Sequence, residues 1–210
     1  MASLLFLAAG TIKWVAAWVF VLEMVVLGLV VGVWLAGYDK NLLTERIASP
    51  IRRDQQRWDQ VVVGAVYLLW AAWLVVMGLD AGRYKWSNSS ISLQLMGCLC
   101  LALYMAATAA IFRENTYAVP SVRIQKNRRH RVITTGPYRL VRHPLYASSM
   151  LFYFGGALLL GSWWGVAMVP VLTTLLGIRA IMEERVLADE LEDYRDYAVR
   201  VPYRLVPLVW

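Results

Sequence analysis

Leu145–Met182 reads LYASSMLFYFGGALLLGSWWGVAMVPVLTTLLGIRAIM. Two apolar runs, Leu145–Leu160 and Trp163–Met182, are parted only by Gly161 and Ser162. Each approaches the roughly 20 residues a helix needs to cross about 30 Å of hydrocarbon. In lipid the backbone must satisfy its own N–H and C=O groups, so such runs are helices. A two-residue break between them implies a tight antiparallel hairpin. Upstream lie three more runs: Trp14–Gly37, interrupted only by Glu23, then Trp58–Leu79 and Ile91–Phe112. The expected fold is an all-α integral membrane protein of about five transmembrane helices, the last two forming that hairpin.

Composition agrees. Of 210 residues, 60% are hydrophobic and 17% charged, against about half and a quarter in soluble domains. The N-terminus has neither a basic region nor a small-residue cleavage pattern, so no signal peptide is expected. The net charge of +7 invites a nucleic-acid reading. Placement argues otherwise: with five spans, every Lys and Arg except Lys13, Arg83 and Lys85 falls on one side. The positive-inside rule makes that side cytoplasmic and leaves the N-terminus outside. Anionic lipid headgroups then account for the basic excess, and no nucleic-acid partner is expected. Cys98 and Cys100, two apart in one span, point to different faces and cannot bridge. No Cys/His cluster has metal-ligand spacing, so no metal site is expected.

Between the spans the chain changes character. Leu42, Leu43 and Ile47 have helical spacing in the polar stretch Asn41–Gln60, which suggests a short helix on the membrane surface. Asp80-Ala81-Gly82-Arg83 through Ser90 reads as an external loop. Glu23, near mid-bilayer, is either a carboxyl satisfied inside the bundle or a substrate or proton contact. Arg113–His143 is long, basic and mostly without helical pattern, and a loop of that length usually carries function. Leu187, Leu191, Tyr194, Ala198 and Val201 form one stripe, so the last span is expected to run on as a helix until Pro202. The apolar and basic tail after it is expected to pack back against the headgroup region. Residues 1–112 thus read as an N-terminal three-helix region. Residues 113–210 read as a catalytic region of loop, hairpin and C-terminal amphipathic helix.

Three features converge on the cytoplasmic side of that second region. They are His130 with Gly136-Pro137-Tyr138, Arg142-His143-Pro144-Leu145-Tyr146 at the mouth of the fourth span, and Arg179 with Glu183-Glu184 at the exit of the fifth. The hairpin makes the second and third neighbours. Each has an ordinary reading: arginines snorkel to headgroups, and Arg179 with Glu183 has the spacing of a helix-surface ion pair.

Taken together, Gly-Pro-Tyr, His-Pro-x-Tyr and Arg-x-x-x-Glu-Glu-x-x-Leu resemble the isoprenylcysteine carboxyl methyltransferase family of integral membrane enzymes, and most of all its short prokaryotic members. The resemblance runs from about Gln125 to the C-terminus. It includes Tyr194, Tyr197 and Val201-Pro202-Tyr203-Arg204-Leu205-Val206-Pro207, and it is looser at Trp58-Asp59, Leu79–Arg83 and Asn115. It implies a cytoplasmic cofactor-binding loop, S-adenosylmethionine as methyl donor, and a lipophilic or prenylated small-molecule acceptor taken from the bilayer of a prokaryotic plasma membrane. Gln125, His130, Arg131, Val132, Ile133, Tyr138, His143, Pro144, Leu145, Tyr146 and Glu183 match cofactor-binding positions. Arg179 matches the residue that addresses the acceptor carboxylate.

The chemistry suits such roles. A carboxylate acceptor titrates near 4 and is ionised without a base; an amine acceptor has to lose a proton, which would make His143 or Glu184 the suspected base. Methylation of a phospholipid amine or a small thiol therefore stays open beside carboxyl O-methylation. A sterol-reductase-like NADPH enzyme fits less well, since adjacent Glu183-Glu184 suits a 2′-phosphate poorly. A non-catalytic scaffold or transporter fits less well too, because the ionisable cluster lies at one face and not along a path.

Overall fold

The computed structural model describes residues 1–49, 51, 55–123 and 130–210. Among them every regular element is helical. They are α1 (Ala2–Ala9), α2 (Val15–Tyr38), α3 (Lys40–Ile47), α4 (Arg57–Met77), α5 (Ile91–Glu114), α6 (Pro144–Leu160), α7 (Trp163–Glu190) and α8 (Tyr194–Arg200). Four helical stretches are long and apolar enough to cross a membrane: Val15–Tyr38, Arg57–Tyr84, Ile91–Glu114 and Trp163–Glu190. The remaining expected span, α6, has 17 residues. At 1.5 Å per residue it covers about 25 Å, the low end of what crosses hydrocarbon. The protein is an all-α integral membrane protein.

The chain forms two compact units. The first comprises Met1–Val31, Val66–Ala106 and Ser149–Thr173. Its core holds Phe20, Trp73, Met77, Leu101 and Leu172, all buried, and the Trp73 indole donates to the carbonyl of Gly165 at 3.0 Å. α5 and α6 meet backbone to backbone at Gly97 and Gly155: a Cβ on Gly155 would come within 2.6 Å of Cys100 and 2.9 Å of the Gly97 carbonyl. Small residues permit such close approach between membrane helices. Gly161, at φ 76°, makes the hairpin turn. The Ser162 amide beside it bonds the Ala157 carbonyl at 2.9 Å.

Two elements of this unit depart from expectation. α1 is an additional short helix, closed by Gly10 in the left-handed conformation. Asp80–Arg83 lies in a π-helical extension, Gly78–Tyr84, and not in a loop. Burial of Asp80 explains the second departure. Its carboxylate accepts from the Ser87 amide (3.0 Å), the Ser87 hydroxyl (2.7 Å) and the Ser162 hydroxyl (2.6 Å). A widened helical turn brings this acid inward to those donors.

The second unit comprises Gly32–Ala65, Ala107–Ser148 and Thr174–Trp210. The short surface helix forms as expected. Asp39 caps α3, accepting from the Leu42 amide at 2.9 Å, and the same carboxylate accepts from the Thr116 hydroxyl. Arg46 lies over the Phe112 ring at 4.7 Å and donates to Ala118. These contacts hold the non-helical chain after α5 to α3.

The expected continuation of α7 is interrupted. The helix stops at Glu190, and α8 begins at Tyr194. The break lets the carbonyls of Ala198 and Val201 accept from Nη1 of Arg142, at 3.3 and 2.7 Å; a cation at a helix C-terminus is favourable. The tail folds back on the chain, pairing with the segment before α6 through Arg142 N to Tyr203 O and His143 N to Arg204 O, both 2.9 Å.

Candidate functional site

The sequence pattern Arg142-His143-Pro144 ends a loop and opens α6, so two polar side chains sit immediately before an apolar helix. Within the second unit both are buried, Arg142 at 8% and His143 at 7% exposure. Burial of a charge requires paired, hydrogen-bonded partners. Glu184 supplies them. It accepts from Arg142 Nε (2.7 Å) and Nη2 (3.3 Å), from Arg204 Nε (2.9 Å), and lies 3.2 Å from His143 Nε2. The other ring nitrogen, Nδ1, lies 3.8 Å from Glu183 Oε2, so the imidazole stands between two carboxylates.

Tyr146 stands one helical turn after His143, and the two rings are stacked at 5.4 Å and 2°. The tyrosine hydroxyl donates to Glu183 Oε2 at 2.7 Å, and the Arg179 guanidinium lies 5.6 Å from the ring centroid. Tyr146 therefore ties His143, Glu183 and Arg179 into one cluster. Glu183 keeps a side-chain exposure of 25%, and its Oε1 has no partner among the described residues.

Arg179 is held on its other edge. Nε donates to Asp59 Oδ1 at 2.8 Å and Nη2 to Asp59 Oδ2 at 3.3 Å, while Nη2 also donates to the Pro120 carbonyl. Asp59 is fully buried. Its Oδ2 further accepts from Gln55 at 2.5 Å and from the Val122 amide at 2.7 Å.

Tyr138, in the 3₁₀ turn Gly136–Arg139, receives the Asn115 amide on its hydroxyl at 2.7 Å. Its carbonyl accepts from the Tyr197 hydroxyl at 2.8 Å. Gly136 permits the turn: φ is 56°, and a Cβ would meet Glu114 at 2.5 Å. Burial raises the pKa of Tyr138 and of Tyr194, and pushes Tyr197 up to about 12. All three phenols stay neutral at physiological pH.

A cavity of about 310 Å³ opens in the same unit, lined by Tyr38, Asp39, Glu114, Tyr117, Arg131, Ile133 and their neighbours. His130 stacks on Tyr117 at 4.4 Å. Apart from Tyr138, in its own 3₁₀ turn, the expected cofactor residues that the structure describes thus fall into two groups. His143, Pro144, Leu145, Tyr146 and Glu183 gather at the α6–α7 ends; His130, Arg131, Val132 and Ile133 form a strip of which Arg131 and Ile133 face the cavity. Gln125 lies outside the described residues.

The buried partner of Arg179 escapes a reading by motif. Asp59 enters the sequence pattern only as part of a loose Trp-Asp match, and its one signal is an acid one turn inside an apolar helix. Arg204 and Asn115 likewise enter only inside longer or looser matches, because their side-chain partners, the Glu184 carboxylate and the Tyr138 hydroxyl, stand 20 and 23 residues away.

The phospholipid methyltransferase family model matches residues 92–193. The protein-S-isoprenylcysteine O-methyltransferase of Schizosaccharomyces pombe is 25% identical over 80% of this chain and 79% of its own. Nickel-cobalt-cadmium resistance protein NccN of Alcaligenes xylosoxydans xylosoxydans is 25% identical, and cobalt-zinc-cadmium resistance protein CzcN of Cupriavidus metallidurans 26%, each over 61% of this chain. The matches span 58% and 56% of those two proteins. The stretch that the family model matches is just under half of the chain. In these comparisons the chain is similar to membrane methyltransferases of the phospholipid methyltransferase family, a group that includes the isoprenylcysteine methyltransferases.

Proposed function

We propose that the protein transfers a methyl group from S-adenosylmethionine to a lipophilic carboxylate, an isoprenylcysteine-like acceptor, at the cytoplasmic face of a prokaryotic plasma membrane. The observation that carries this reading is the Tyr146–Glu183 hydrogen bond under the His143 ring, which leaves one carboxylate oxygen of Glu183 open. The donor set fits the cofactor. A carboxylate with a free oxygen can accept from an amino or ribose group, and the ring faces at His143, Tyr117 and His130 suit adenine or a cation. The cavity beside Arg131 and Ile133 is at the lower end of small-molecule sites, about 300–1,000 Å³.

When bound, the cofactor supplies an electrophilic methyl group. The chain itself supplies alignment and exclusion of water, which in-line transfer requires. Arg179, fixed along its Nε–Nη2 edge, retains Nη1 without a partner among the described residues. We assign that nitrogen to the acceptor carboxylate. An ionised carboxylate needs no base, which suits a cluster whose Glu184 already faces two arginines and a histidine. Amine or thiol acceptors would need a proton acceptor that Glu184 is poorly placed to be.

Titration of the purified protein in lipid or mild detergent with S-adenosylhomocysteine tests the cofactor. Saturable binding is expected, and none would end the reading. Mass analysis of labelled methyl transfer to a farnesylcysteine, a phosphatidylethanolamine and a small thiol then separates the acceptors. A methyl ester is expected.

A further inference from the structure

Asp59 is the feature that neither the motifs nor the relatives explain. It is fully buried in the second unit, and apart from the bond it takes from Gln55 its side chain bonds to parts of the chain that matter for the proposed site. One set runs to Arg179. Another takes the Val122 amide, while Arg179 in turn takes the Pro120 carbonyl. The ion pair therefore grips the main chain of Pro120–Val122 from both its polar sides, an N–H on one charge and a C=O on the other. Three residues after Val122 stands Gln125, and the strip His130–Ile133 follows.

We infer that Asp59 is a positioning residue: it sets the orientation of Arg179 and, through the same carboxylate, anchors the segment that leads into the cofactor loop. The part concerning catalysis rests on the methyl-transfer reading; the part concerning the anchored segment does not. Two consequences follow from the geometry. Among the described residues Nη1 is the Arg179 nitrogen left without a partner, so an acceptor carboxylate meets a donor nitrogen of fixed direction instead of a mobile fork. The acceptor group and the start of the cofactor loop also share one buried support, so a change there weakens both.

A buried ion pair can equally be a mere fold element, and removing one partner is damaging in either case because the other is left charged and unpaired. The decisive variant removes both charges while conserving volume, Asp59→Leu with Arg179→Met. Three quantities are read on the full chain in detergent: the unfolding temperature, amide hydrogen exchange of the 119–123 segment, and the affinity for S-adenosylhomocysteine. Each single variant is expected to lower the unfolding temperature, and the double variant to recover most of that loss. Exchange at 119–123 is expected to remain at least tenfold faster than in the unaltered chain, with S-adenosylhomocysteine binding still weakened at least tenfold. Affinity and protection that return together with the unfolding temperature would overturn the inference, because the pair would then act only on stability. If the unaltered chain bound no S-adenosylhomocysteine, the methyl-transfer reading would fall, and exchange at 119–123 would still decide whether the pair anchors that segment. Should either single variant fail to fold, the double variant buries no lone charge and is read by itself.

Discussion

Asp80 in the first unit and Asp59 in the second are both fully buried acids inside helices, and they do different work because their donors differ. Asp80 is satisfied by two serine hydroxyls and an amide. Those neutral groups come from the chain after the π-turn and from the hairpin turn at Ser162, so the carboxylate staples two turns. Asp59 is satisfied by a guanidinium, a glutamine and an amide, and its cationic partner keeps Nη1 without a partner among the described residues. A buried acid ringed by hydroxyls is a fastening. One paired with an arginine beside the Tyr146 ring also directs a charge in the role we infer for Asp59.

The contrast is open to a direct break. Asp80→Ala removes three hydrogen bonds to a charged acceptor, each worth about 1.5–3 kcal/mol. Allowing the released hydroxyls to find new partners, the loss is on the order of 3 kcal/mol, read as a lower unfolding temperature. The fraction that remains folded is expected to bind S-adenosylhomocysteine with unchanged affinity. A drop in that affinity would mean that the first unit's acid also shapes the site.

Glu183→Ala sharpens the comparison from the other side. Glu183 is partly exposed and takes one hydroxyl, so stability should change by less than about 1 kcal/mol. Affinity for S-adenosylhomocysteine should fall roughly 10- to 100-fold, or about 1.4–2.8 kcal/mol, measured by calorimetric titration. Equal affinity in the variant would remove Glu183 from the cofactor site.

Apolar length alone makes the membrane helices and the hairpin legible in the sequence, because a span of about 20 residues leaves the backbone no alternative in lipid. His143, Arg179 and Glu183 are likewise legible as neighbours, since a two-residue turn sets the α6 and α7 ends together. Their hydrogen-bond partners were not legible. Arg179 and Glu183 stand four apart and suggest a surface pair, yet the arginine turns to Asp59, 120 residues earlier in the chain. Of the stripe Leu187, Leu191, Tyr194, Ala198 and Val201, Tyr194 and Val201 are buried and the other three are half-buried, while the buried Tyr197 lies off it. The stripe conceals the break at Leu191–Asp193 because periodicity reports a face and not the continuity of the axis. The Asp80 segment has turn-forming composition and still forms helix, since tertiary donors outweigh local preference.

Tyr146→Phe is a smaller intervention on the same cluster. It keeps the ring against His143 and the arginine and deletes only the donor to Glu183. A net loss of about 1 kcal/mol, roughly fivefold in affinity, is expected. Loss as large as in Glu183→Ala would show that the tyrosine, and not the carboxylate, makes the essential contact.

The smallest effect belongs to the α8 support. Tyr197 donates its hydroxyl to the Tyr138 carbonyl, and burial pushes its pKa up to about 12, with Arg142 opposing and Glu184 adding to the rise. A phenol in the unfolded chain titrates near 10. Because the folded value is the higher one, the neutral hydroxyl favours the fold at every pH below about 10, and that contribution is lost as pH rises from 10 towards 12. Tyr197→Phe should therefore cost on the order of 1 kcal/mol at neutral pH through the lost hydrogen bond. It should also make unfolding less steeply dependent on pH between 10 and 12, leaving only the contributions of the other phenols. Unfolding temperatures of both proteins across pH 8–11.5 measure this. Parallel curves would mean that Tyr197 already reaches solvent, and that α8 holds the Gly136–Arg139 turn by packing alone.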